Sequence, residues 1–284
     1  MTRIMAGSSF IFVALLAASA QAQWLQYREP GVPRLADGKP NLTAPVPKAL
    51  DGKPDLSGVW LHEKTSLEEM KRLYGKRADP GVDALGMEID TVHKYAINLL
   101  VDHKPEEGLE RPETLEQMRR TPFDQRVGCT GGGFVPSFPL AGLLTEAIKI
   151  VQAPRLTMVL YEAGNFFRQI HTDGRDLPKE FDLSAFLGYS TGRWEGDTLV
   201  VETAGFNNKT ILDLAAHPHS DALHVTERFH RRDFGHLDFE ATFDDPKMYT
   251  KPFTVRIPHE LMADADIFET YSENEKDCAH IGKQ

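Results

Sequence analysis

The chain has 284 residues, of which 41% are hydrophobic and 26% charged, and its formal net charge is −10. That hydrophobic share is ordinary for a globular protein and excludes disorder throughout. The acidic balance argues against a binder of nucleic acid or other acidic polymers, because such a surface cannot release counterions from a phosphate backbone.

The first residues, MTRIMAGSSFIFVALLAASAQAQW, combine Arg3, an apolar run from Phe10 to Ala18 and the small-x-small triplet Ala20-Gln21-Ala22. This pattern predicts a secretory signal over residues 1–22, cleaved to leave Gln23 first. The run is too short for an ordinary membrane-spanning helix, and no later stretch is long and apolar enough. The expected protein is therefore periplasmic or secreted, not membrane-embedded, and one unit more negative once Arg3 is gone. In such a compartment the two cysteines, Cys129 and Cys278, suggest one disulfide. Its loop of about 150 residues would contribute roughly 4 to 5 kcal/mol on chain-entropy arguments. Two separately buried thiols are the other reading.

Residues 23–56 are rich in Pro and Gly and contain a near-duplicate, DGKPNL at Asp37–Leu42 and DGKPDL at Asp51–Leu56. They read as an irregular arm over the surface of a single β-rich domain, 57–284. LSGVW at Leu56–Trp60 looks like the first strand. A helical insert follows at about 66–120. Within it, SLEEMKRLYGK has the capping-box pair Ser66 and Glu69, with Leu67, Met70, Leu73 and Tyr74 on one face. PETLEQMRR places proline at a helix start. CTGGGFVPSFP, beginning at Cys129, reads as a loop.

From Ala147 the period switches to two. IKIVQAP, RLTMVLYEA, NFFRQIHT, GRWEGDTLVVETAGF, ALHVTERFHRR, GHLDFEATFDD, FTVRIP and DIFETYS read as successive strands, with WEGD and RDFGH at hairpin turns. A meander of about eight strands must close or pack on another sheet to bury its inner face. The expected fold is mainly β: an antiparallel up-and-down barrel or lipocalin-like meander capped by the helical segment, with a two-sheet sandwich as runner-up.

Five histidines fall in HPHSDALHVTERFHRRDFGH, His217 to His236. Period two puts Leu223, Val225, Glu227 and Phe229 on one face, and His224, Thr226, Arg228, His230 and Arg232 on the other. Glu227 is thus a carboxylate on an apolar face, either desolvated into the range of a general acid–base or paired with a cation such as Arg168. Arg168 shares a face with Phe166 and Ile170, while Gln169 and His171 share the other. Asp173, Gly174 and Arg175 form the turn after it. His217 and His219 have the His-x-His spacing of a zinc site, but no third ligand stands at a fixed offset and Pro218 intervenes. His219 as an acid–base or hydrogen-bonding residue is the more economical reading. No dinucleotide fingerprint, phosphate loop or haem motif is present, so no organic cofactor is expected.

The blocks DGKPDLSGVW, IVQAP, RQIHTDGRDLP, GYSTGRWEGDTLVVETAGFN, PHSDALHVTERF and SENEKD resemble those of a large family of uncharacterised secreted bacterial proteins, over nearly the whole chain after the leader. The resemblance implies a periplasmic, β-rich domain and carries no known activity. It marks Arg168, Asp173, Arg175, Trp194, Asp197, His219, Ser220, Glu227 and Arg228 as signature positions. Relatives carry a cysteine before the EN of the last block, where Tyr271 and Ser272 stand here, and this departure bears on the disulfide.

The leading expectation is a cofactor-independent lyase, isomerase or hydrolase acting on a small apolar or aromatic molecule inside the barrel. Glu227 or Asp173 would be the base, His219 the acid and Arg168 the stabiliser of negative charge. Arg175, Trp194, Arg228 and His171 would contact the ligand. The competing expectations are a lipocalin-like binding protein without chemistry, a zinc hydrolase using His217 and His219, and an envelope protein whose arm docks a partner.

Overall fold

The computed structural model describes residues 28–75, 93–96, 98–121, 147–162, 166–181, 185–213 and 215–268. The leader, both cysteines and the CTGGG stretch lie outside the described residues.

Nine strands close into one barrel in sequence order. They are β1 Gly58–His62, β2 Ile148–Ala153, β3 Leu156–Tyr161, β4 Phe167–His171, β5 Tyr189–Glu195, β6 Thr198–Ala204, β7 His224–Arg231, β8 His236–Asp244 and β9 Phe253–Leu261. β9 closes onto β1 through Trp60 opposite Leu261 and His62 opposite His259. The expected barrel is present, but it is not antiparallel throughout. An odd number of strands cannot alternate direction all the way round a ring, so at least one neighbouring pair must run parallel. That seam is β4–β5, with Ile170 opposite Ser190 and His171 opposite Thr191. A parallel pair needs a crossover rather than a hairpin, and the chain supplies it between His171 and Tyr189. The expected strand DIFETYS is not one over Asp266–Phe268, and the rest of it lies outside the described residues.

The period-two pattern sets which side chains fill the barrel. On β7, Val225, Glu227, Phe229 and Arg231 are buried while His230 is exposed. Leu237, Phe239, Ala241 and Phe243 on β8 meet them from the facing strand. Phe229 and Phe239 pack with ring centroids 5.0 Å apart, and Phe243 stacks on Phe253 at 5.1 Å. Each large side chain taken from water here contributes roughly 1.5 to 3 kcal/mol. The outer face of β7–β9 carries Arg228, His230, Asp238, Glu240, Arg256 and Glu260. A wall bordering lipid would be apolar there. Among the described residues no helix is long and apolar enough to cross a membrane.

Both ends of the barrel are covered. At the end with the β5–β6 and β7–β8 hairpins lies the arm, which is more regular than its composition suggests. The duplicated DGKP segments fold into the same turn twice: Asp37 and Asp51 each accept the backbone N–H two residues on at 3.0 Å. Gly38 and Gly52 hold φ of 84° and 78°, which L-residues adopt at a cost. The arm is fastened to the hairpins by Phe234 N–H donating to Ala44 O (2.8 Å) and Gly235 N–H to Leu42 O (2.7 Å). Arg34 adds a two-pronged ion pair to Asp264. A Cβ on Gly235 would come within 2.8 Å of the Leu42 carbonyl oxygen. Gly235→Ala is therefore expected to lift the arm, measured as a several-fold faster proteolytic cut within residues 28–56; an unchanged rate would contradict this fastening.

At the opposite end, the segment after β1 covers the β6–β7 and β8–β9 loops. It holds α1 (Leu67–Tyr74) and α2 (Pro112–Arg120). Ser66 caps α1 by accepting from Glu69 N–H, as the capping-box spacing predicts. Of the apolar face expected there, only Met70 is buried. The segment is tied down by Leu99 N–H to Asp213 (2.7 Å), Thr250 N–H to Leu109 O (2.8 Å) and Arg111 N–H to Met248 O (3.1 Å).

Candidate functional site

The four residues expected to carry chemistry fall in three places. Arg168 and Glu227 form one unit inside the barrel. Both Glu227 oxygens receive the guanidinium, one of them at 2.9 Å, and the Arg168 Nε donates to Ser190 (2.9 Å) while Nη2 donates to Thr203 (2.8 Å). The Tyr161 hydroxyl is a further partner. Arg168 is 4% exposed and Glu227 1%. Burial works against the Arg168 cation, but Glu227 and the Tyr161 hydroxyl together outweigh it and raise the guanidinium's pKa. Both Glu227 oxygens engage one fixed, buried cation, which is the arrangement of a buried ion pair.

His219 lies in the β6–β7 loop with its own partners. Its Nδ1–H donates to the Ser220 carbonyl (3.2 Å), which leaves Nε2 to accept from the Thr210 hydroxyl (2.6 Å). Burial lowers its pKa, so this neutral form is the stable one. Ser220 is held by Asp245 through both its N–H (2.6 Å) and its hydroxyl (2.8 Å), which ties the β6–β7 loop to the β8–β9 loop.

His217, two residues away, is bonded elsewhere. Its Nδ1 lies 2.6 Å from Asp213 and its Nε2 3.7 Å from Glu110. Burial alone would depress its pKa, but the two carboxylates outweigh burial and raise it to about 9. The ring nitrogens of both histidines are thus taken up by protein groups. Among the described residues, no group of three or more His, Cys, Asp or Glu side chains is arranged to hold a metal ion.

Asp173 sits in the crossover turn, bound by Arg175 at 2.7 Å, and Arg175 also donates to the Tyr189 hydroxyl (2.9 Å). His171 stacks on the Tyr189 ring with centroids 5.1 Å apart. His171, Asp173, Arg175 and Tyr189 thus form one cluster on the barrel surface. Arg228 points outward to Glu195 at 3.2 Å. Trp194 is partly buried against the core just before the β5–β6 turn. Asp197, at that turn, meets Lys48 of the arm at 3.3 Å.

Two features escaped the sequence reading. One is a set of buried histidines, His62, His93 and His259. The His62 and His93 rings meet edge to face, 6.1 Å between centroids, and the His259 ring packs on Phe239. The other is a groove of ≈ 760 Å³ walled by the arm on one side and by β1, β2 and the residues after β9 on the other. Val32, Val59, Ile150, Phe234, Leu261 and Met262 line it, and Arg231 lies in its floor. Arg231 is 2% exposed. Its guanidinium carbon sits 4.9 Å from the Trp60 ring and 5.1 Å from the Phe234 ring. Period two carried this signal, because Arg231 shares the parity of Val225, Glu227 and Phe229.

Comparison of the chain with models of protein families, with curated proteins and with solved structures finds no match.

Proposed function

We propose that this is a secreted or periplasmic β-barrel that binds a small apolar molecule without transforming it, in the groove between its N-terminal arm and β1, β2 and β9. The single observation that carries this reading is the groove itself. Its ≈ 760 Å³ falls within the range of small-molecule sites, and apolar walls with few polar groups are their usual chemistry. Three of the four groups expected to catalyse support binding over turnover, since Arg168, Glu227 and His219 are buried and bonded to one another or to the main chain and hydroxyls around them. The signal-like leader at residues 1–22 supports the location. The binding requires neither metal nor organic cofactor.

The test is titration with the neutral fluorescent probe N-phenyl-1-naphthylamine. Saturable binding at one site per chain is expected, and Ala265→Trp, which places an indole in the groove wall, should weaken it at least tenfold. No saturable binding, or binding untouched by Ala265→Trp, would overturn the proposal.

A further inference from the structure

Arg231 differs from Arg168 in what surrounds its charge. A guanidinium has five N–H donors. The Nε–H of Arg231 is shared between the carbonyls of Asp233 (3.2 Å) and Phe234 (3.1 Å), Nη1 donates to the carbonyls of Asp55 and Ser57, and Nη2 donates once, to Phe234 O. Among the described residues one Nη2 hydrogen is left over, and no carboxylate is in ion-pair contact with the guanidinium. A buried cation held by neutral carbonyls and the Trp60 and Phe234 rings, with no carboxylate against it, is costly. Burial accordingly pushes its pKa down to about 10, against the more distant pull of Asp55 and Asp233. The acidic groups around the groove are placed differently: Asp266 is held by Lys149 at 2.7 Å, the Asp55 carboxylate accepts Ser57 N–H at 2.9 Å, and Glu29 is exposed at the rim.

We propose that the groove takes an amphipathic monocarboxylate, its chain along Val32, Ile150, Leu261 and Met262 and one carboxylate oxygen on the remaining Nη2–H of Arg231. This rests on the binding function proposed above and names its ligand class. A charge-assisted hydrogen bond in a desolvated site is stronger than a neutral one, and one free hydrogen calls for one acceptor oxygen rather than the fork of a bidentate pair. The same residue explains the arm's position: the carbonyls of Asp55 and Ser57 that hold the guanidinium belong to the segment that walls the groove, so ligand site and arm are built around one side chain.

The experiment is displacement of N-phenyl-1-naphthylamine from the full chain by dodecanoate, dodecan-1-ol and dodecyltrimethylammonium, below their micelle-forming concentrations. Dodecanoate is expected to displace the probe at least tenfold more tightly than dodecan-1-ol, and the cation to be the weakest. Ala265→Trp should lose all three. Arg231→Met, checked for folding by circular dichroism, should bring dodecanoate to parity with the alcohol; where that variant fails to fold, the wild-type preference and its loss in Ala265→Trp decide. Equal affinity of dodecanoate and the alcohol for the wild type overturns the carboxylate assignment and leaves the apolar groove standing. A preference that persists in Ala265→Trp overturns the assignment to this groove. Displacement by none of the three, with the probe bound, overturns the carboxylate assignment; failure of the probe itself to bind overturns the binding function.

Discussion

Glu227→Gln is expected to lower stability by about 3 to 5 kcal/mol, because it leaves the Arg168 cation buried against a neutral amide. For a chain of this size that corresponds to a melting temperature lower by roughly 10 °C. Arg168→Met should cost a similar amount, by leaving Glu227 buried and unpaired. The double substitution Arg168→Met with Glu227→Leu should recover most of the loss, since replacing both partners by apolar groups removes the desolvated charge as well as the attraction. The cycle is measured by urea denaturation followed by circular dichroism. A Glu227→Gln protein that melts like the wild type would mean that the pair is not closed off from water, and would return Glu227 to the list of candidate bases.

Acid is expected to destabilise the protein before most carboxylates titrate. Burial, followed by the proximity of His62, lowers the pKa of His93 to about 3, and burial lowers that of His259 to about 4. In the unfolded chain each has a pKa of about 6.5. Between about pH 6.5 and 4 the unfolded state binds protons that the folded state refuses, so stability rises with pH there and is lost on acidification. His259 alone accounts for about 3 kcal/mol of this by pH 4.

His217 acts in the opposite sense. Its folded pKa of about 9 lies above the unfolded value, so its contribution is complete below about pH 6.5 and is lost as the pH rises through 9. A melting temperature that peaks near neutrality and falls on both sides follows. His259→Phe should flatten the acid limb and His217→Gln the alkaline limb. A melting temperature that climbs below pH 6 would contradict the neutral burial of His93 and His259.

Local patterns carried most of the fold into the sequence. Alternation in VTERFHR assigned Val225, Glu227 and Phe229 to one face, and the Ser66–Glu69 pair marked the start of α1, because both signals act over a few residues. The parallel β4–β5 seam was not legible, since it follows from the number of strands in the closed ring and no single strand encodes that count. The candidate site was legible only as residue types. HPHS has metal-like spacing, yet His217 finds Glu110 across more than a hundred residues of chain, and His219 finds Thr210 in the same loop. The DGKP duplication was visible as a repeat, but only the fold shows both copies as turns in one arm that walls a groove. Arg231 shares the parity of Glu227, but a cation at the end of a strand reads as polar surface until the fold shows the arm lying over it.

The most direct test of the binding claim is a crystal structure of the protein soaked with 12-bromododecan-1-ol, a neutral chain whose bromine is located by anomalous scattering. The account predicts a bromine peak in the groove between Val32, Ile150 and Met262. A peak inside the barrel beside Arg168 and Glu227 would contradict it.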